Sequence, residues 1–157
     1  MRLFDCRKSL EKLERRHDGA PDGPSRMVRE CLRLRRVPLK DFTVENLRVM
    51  IDQQLGLRHL IPLAVEALAD NPLAAGDFYP GDLLKVVLTI DPRFWAQHRD
   101  LQGKVDGITA RAFVRIATVA DADKETQFAA TERVLQEAYA EFRYGIPEAA
   151  ASTAMTV

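Results

Sequence analysis

Residues 37–90 read VPLKDFTVENLRVMIDQQLGLRHLIPLAVEALADNPLAAGDFYPGDLLKVVLTI, and this stretch decides the fold. Thr43 is placed to cap a helix, because its hydroxyl can accept from the free N–H groups of a first turn. Glu45 follows within that turn, where the helix dipole favours a carboxylate. Three residues after Thr43 stands Asn46 rather than Glu or Gln, so the pattern predicts a cap without a full capping box. Val44, Leu47, Ile51 and Leu55 recur on one face, and Gly56 is the expected left-handed stop.

A second helix is expected from Leu60, with Pro62 in its first turn, where a missing N–H costs little. Its apolar residues run nearly all the way round, from Leu60 and Ile61 through Leu63, Ala64, Val65, Ala67 and Leu68. That distribution predicts the buried centre of a bundle. Asn71-Pro72 ends it, since the residue before proline is pushed out of the α region. After Gly76 come Asp77-Phe78-Tyr79-Pro80-Gly81-Asp82 and the apolar run Leu83 to Ile90. Composition alone fits that run to a buried strand as well as to a helix. Asp82 ahead of it and Asp91-Pro92 behind it are helix boundaries, so a helix is the reading adopted.

Three ordered blocks of this stretch carry a resemblance: PLKDFTVENLRVMI, then GLRHLIPLAVEALADNPL, then GDFYPGDLLKVVL with Phe94-Trp95 downstream. Together they resemble a family of immunity proteins from contact-dependent growth inhibition (CDI) systems, the helical group typified by partners of ribonuclease-like toxin domains. The likeness runs roughly from Ser9 to Trp95. It implies an immunity protein that binds and neutralises a cognate toxin, the C-terminal domain of a CDI exoprotein, by blocking its active site or substrate entry. It also implies that the chain is not itself an enzyme.

Composition bounds the alternatives. With 157 residues the chain is expected to form one domain, large enough to bury a core without staples. A hydrophobic fraction of 46% and a charged fraction of 29% are those of a soluble globular protein. No apolar run approaches the roughly 20 residues that a membrane helix needs, and the charged N-terminus has no signal-peptide core. Cys6 and Cys31 form neither a disulfide framework nor a zinc pattern. A cytoplasmic location, with no cofactor and no membrane partner, is the expectation. Net charge is zero but unevenly spread: residues 1–40 hold 12 Lys/Arg against 6 Asp/Glu, so the remainder is acidic. Such polarity steers charged partners.

Working outward, Ser9 is placed to cap a short helix over 10–17, with Leu10, Leu13 and Phe4 turned inward. Asp18 to Pro24 is a loop by its Gly/Pro content. Ser25 opens a helix to about Val37, with Met27 or Val28, Cys31, Leu32 and Leu34 as candidates for burial. Its opposite face carries Arg26, Arg29, Arg33 and Arg36, spaced as one stripe. On the C-terminal side, Asp91-Pro92 starts another helix, and Phe94 and Trp95 are expected to close one end of the core. Val105, Ile108, Ala112, Ile116 and Val119 keep a helical period. Asp121 or Asp123 would cap the last helix, whose buried face is Phe128, Leu135, Ala138, Tyr139 and Phe142. Gly145 and Pro147 end it. The expectation is an all-α single compact domain of about seven or eight helices over residues 1–147, with 148–157 as a frayed tail.

Motifs for chemistry are few. There is no Gly-rich phosphate loop, no His-Glu-x-x-His and no Cys-x-x-Cys. His17, His59 and His98 fall near expected helix ends, where histidine commonly complements the dipole. Asp77 and Asp82 flank Phe78 and Tyr79. That pair admits a metal or acid–base role, a plain turn-and-cap role, or contact with a basic protein. Between Glu66 and Asp91 the charged residues are Glu66, Asp70, Asp77, Asp82 and Asp91 against Lys85. Asp70, Asp77, Phe78, Tyr79 and Asp82 are therefore the candidate toxin-binding residues. No catalytic and no metal residues are assigned. Two rivals stand beside this reading: a small nucleic-acid-binding regulator using the arginine stripe, and a hydrolase built on Asp77, Asp82 and His98.

Overall fold

Leu83, Leu84, Val86, Val87 and Leu88 are all buried on one short helix, and the rest of the fold is wrapped around it. A computed structural model describes residues 4–17, 25–119 and 128–144 of the chain. The described residues hold eight α-helices: α1 Leu10–Leu13, α2 Arg26–Leu34, α3 Val44–Asp52, α4 Leu57–Asp70, α5 Asp82–Leu88, α6 Pro92–Gln97, α7 Arg99–Ala117 and α8 Ala129–Tyr144. A 3₁₀ turn, Leu39–Asp41, joins α2 to α3. Among the described residues, strand-like pairing is one antiparallel bridge, Ala75 to Pro80. The domain is all-α, and no described helix is long and apolar enough to cross a membrane.

The central position belongs to α5, not to α4. In α5 every residue but Lys85 is buried, and the helix packs against α3, α4 and α8. Each of its leucines and valines contributes roughly 1.5–3 kcal/mol by leaving water. The α4 helix buries Leu60, Ile61, Ala64, Val65 and Leu68 but exposes Arg58, Glu66, Ala69 and Asp70. It therefore has a solvent face, which its small alanines and scattered charges did not advertise. Trp95, Val105, Ile108, Ala112, Ile116, Leu135 and Phe142 complete the core. Phe142 meets Trp95 edge-on, with centroids 5.4 Å apart.

Several boundaries differ from the sequence reading for local reasons. The N-terminus of α3 carries a complete capping box. Thr43 Oγ1 accepts from Asn46 N at 3.1 Å, and Asn46 Oδ1 accepts from Thr43 N at 3.1 Å. An asparagine amide supplies the same acceptor as a glutamine. The stop of α3 is Gln54, at φ 55°, with Leu55 N donating to Met50 O and Gln54 N to Ile51 O. That is a Schellman closure with glutamine in the left-handed place. Gly56, at φ 62°, instead begins α4 three residues earlier than expected. Pro62 consequently sits inside α4, not in its first turn. Helix α1 is a single turn because Arg15 adopts φ 53°. The expected caps Asp121 and Asp123, the Gly145/Pro147 stop and the tail lie outside the described residues.

Candidate functional site

Residues 71–81 connect the surface helix α4 to the central helix α5, and they are held from below by one carboxylate. Asp82 is 2% exposed. Its Oδ1 accepts from Gly76 N at 2.6 Å, and its Oδ2 from Phe78 N at 3.1 Å and Tyr79 N at 3.5 Å. The N-cap of α5 is Gly81, at φ 91°, so Asp82 caps the loop before it instead of the helix after it. Charge-assisted bonds from backbone amides to a carboxylate are among the stronger ones available to a loop.

A second carboxylate works from α3. Glu45 Oε2 accepts from Asp77 N at 2.9 Å, and the same carboxylate takes a bidentate pair from Arg48, Nε at 2.7 Å and Nη2 at 2.5 Å. Arg48 is itself buried, with Nε 3.9 Å from Asp82 Oδ2. The Arg48 hydrogen bonds hold the Glu45 carboxyl below its ordinary range against the opposing effect of burial. Glu45 reciprocally raises the guanidinium. Two buttresses complete the loop: Gly81 N donates to Leu73 O at 3.2 Å, and Thr131 Oγ1 from α8 donates to Pro80 O at 3.1 Å.

The held loop presents an aromatic ring to solvent. Phe78 is 71% exposed, and the Arg48 guanidinium carbon lies 4.3 Å from its centroid. The ring is outside because the backbone on either side of it is pinned by Asp82 and Glu45. Tyr79 is half-buried, and burial, reinforced by Asp82, raises its hydroxyl pKa. Asp77 is exposed, with a carboxylate that forms no ion pair or hydrogen bond among the described residues.

Of the five candidates, Asp77, Phe78 and Tyr79 share this loop, and Asp82 lies beneath it as a buried positioning residue. Asp82 thus leaves the exposed face that sequence assigned to it. Asp70 is exposed at the end of α4 in mixed company: Arg111 donates to Ala69 O and Arg115 to Asn71 Oδ1, both at 2.9 Å. Asp91 follows the far end of α5 and pairs with Arg93. The sequence run of carboxylates is therefore divided among several places, because α5 passes through the core between them. Glu45, Arg48 and Asp52 were missed. Asp52, one turn beyond Arg48, acts electrostatically on both Arg48 and Tyr79. The available signal was Arg48, a lone cation among Leu47, Val49, Met50 and Ile51.

The rival constellations are not assembled in this way. Asp82 is engaged by three amides, whereas His98 Nδ1 donates to Phe94 O, 2.8 Å away, and its ring stacks on that of Phe94. His59 meets Phe4 edge-on, and burial lowers its pKa. Both histidines line a cavity of about 420 Å³ with Arg58, Glu66 and Lys104. No group of three His, Cys, Asp or Glu among the described residues is arranged to hold a metal ion. In the arginine stripe, Arg33 pairs with Glu30 and Arg36 with Glu11, while the neighbouring Arg35 is buried against Glu14. Paired arginines offer less to a phosphate backbone than the bare sequence spacing implied.

Comparison with known proteins returns one family. The model described as CDI immunity proteins matches residues 12–105, more than half of the chain, and the held loop lies inside the matched stretch. No curated protein and no solved structure matches the chain.

Proposed function

This chain belongs to the family of CDI immunity proteins, and we propose from that premise that it neutralises a toxin by occluding the toxin's active site or substrate entry. The toxin in this reading is the C-terminal domain of a CDI exoprotein, is a nuclease, and is met in the cytoplasm of the cell that makes both. The chain acts by binding, without turnover of its own.

The observation that supports this best is the pinned loop. Phe78 stands in solvent beside Asp77, and the loop beneath them is fixed in advance by Asp82, Glu45 and Arg48. A rigid aromatic anchor costs little ordering entropy on association. Around it, Glu45, Asp52, Asp77 and Asp82 outnumber Arg48. A nuclease gathers positive charge to hold phosphate, so a carboxylate-rich face imitates its substrate electrostatically and speeds encounter. Asp70 extends the face only weakly, with two arginines beside it.

Co-expression with the toxin domain encoded nearest to this chain tests the reading. Stable co-purification and rescue of growth are expected. Unrelieved killing, with the two proteins eluting separately, would refute it.

A further inference from the structure

One face of the Phe78 ring is occupied and the other is open. Arg48 lies under the first at 4.3 Å, and the ring's 71% exposure leaves the second to solvent. A cation below an aromatic ring ordinarily discourages another above it. Here the lower cation is more than compensated: Glu45 takes it in a bidentate pair, Asp82 lies 3.9 Å from it, and Asp52 adds a third negative charge nearby. The platform beneath the ring is therefore net negative. Asp77, the preceding residue, adds an exposed carboxylate with no side-chain partner among the described residues.

Resting on the immunity reading above, we infer that the open face of Phe78 receives an arginine of the toxin, whose guanidinium stacks on the ring and pairs with Asp77. Guanidinium fits the two demands at once. It is planar and weakly hydrated, stacks on aromatic faces, and presents a fork of donors to a carboxylate. An apolar pocket closing over Phe78 is the competing occupant. It fits less well, because it would strip water from Asp77 without giving it a partner. The ring and the carboxylate form one recognition unit, and Arg48 with its acids sets the charge beneath it.

The experiment replaces Phe78 with mono-, di- and trifluorophenylalanine in the full chain. Dissociation of the cognate toxin domain is then followed, with each variant's thermal unfolding as a fold check. Fluorination drains the π face while keeping the ring's shape and apolarity. Release should quicken stepwise, to roughly 3- to 30-fold for the trifluoro ring, and Asp77→Asn should reduce the salt dependence of association. A flat series, or slower release as fluorines accumulate, assigns the ring to an apolar pocket and overturns the inference while immunity stands. Failure of the unmodified chain to bind the toxin at all overturns the immunity reading and this one with it.

Discussion

Gly76 donates its backbone N–H to Asp82 Oδ1 at 2.6 Å, closing a loop whose two ends belong to a surface helix and to the central one. Gly76 is also hemmed in by side chains: a Cβ built there would press into Glu45 Oε2 and fall 3.1 Å from Asp82 Oδ2. Gly76 and Asp77 together fix the loop to both carboxylates, since Asp77 N donates to Glu45 Oε2 at 2.9 Å, and most perturbations of the aromatic face should be readable there.

Asp82→Asn should destabilise the domain by about 1–3 kcal/mol, because an amide offers one oxygen where the carboxylate serves three N–H groups. Urea unfolding gives the loss. Hydrogen exchange should locate it, with faster exchange at Gly76, Phe78 and Tyr79 than at core amides of α5. Uniform acceleration over the whole chain would assign Asp82 a general packing role instead.

Glycine substitutions should split by position. Gly76→Ala should cost about 1–3 kcal/mol, since Glu45 is held by Arg48 and by Asp77 N and cannot swing aside. Gly103 and Gly107 lie on the exposed face of α7 with nothing within 4 Å of an added Cβ. Alanine at either should stabilise the helix by about 0.5–1 kcal/mol. Thermal melts of the three single variants decide the matter, and a stabilising Gly76→Ala would contradict the packing described.

The acid limb of stability should depend on Glu45. Arg48 holds its carboxyl below the ordinary value of 4.5. A group with a depressed folded pKa contributes fully above its unfolded pKa and loses that contribution as pH falls through the folded value. Stability from this pair should therefore be constant near neutrality and decline below pH 4.5. In Glu45→Gln the decline should be shallower, measured as the urea midpoint across pH 3 to 7.

Charge reversal should separate the two exposed acids. Asp77→Lys should slow toxin association roughly 3- to 10-fold at low salt, with the difference shrinking as salt rises. Asp70→Lys should have a smaller effect, because Arg111 and Arg115 already stand beside it. Stopped-flow association at two ionic strengths reads both. Equal rates for Asp77→Lys and the unmodified chain would move the interface away from this loop.

Arg29→Glu with Arg33→Glu should leave toxin binding within about twofold. The Arg33–Glu30 pair is exposed, and such pairs contribute little. Salt-sensitive binding of duplex DNA or RNA that disappears in the double variant would restore the regulator reading.

Much of this protein was written locally. Thr43, Ser25, Ser9 and Asp91 cap the helices expected of them, because a cap needs only its own side chain and the next few amides. The helical reading of Leu83 to Ile90 holds over Asp82–Leu88, and the all-α class follows from such periodicities. The three blocks that resemble CDI immunity proteins lie within or beside the stretch that matches the family.

What tertiary structure decided is where the charges went. Sequence places Asp70, Asp77, Asp82 and Asp91 in one acidic run, yet α5 carries the chain through the core between Asp82 and Asp91. Asp82 is drawn inside because Gly76, Phe78 and Tyr79 each turn an amide toward it. Glu45 and Arg48, more than twenty residues away in sequence, become the loop's foundation only when α3 packs on α5. Phe78 is outside for the same reason: its backbone is held on both sides, so its ring has nowhere to go but over Arg48. Caps and periods are short-range and legible in the chain, whereas the partner of a buried carboxylate is chosen by packing.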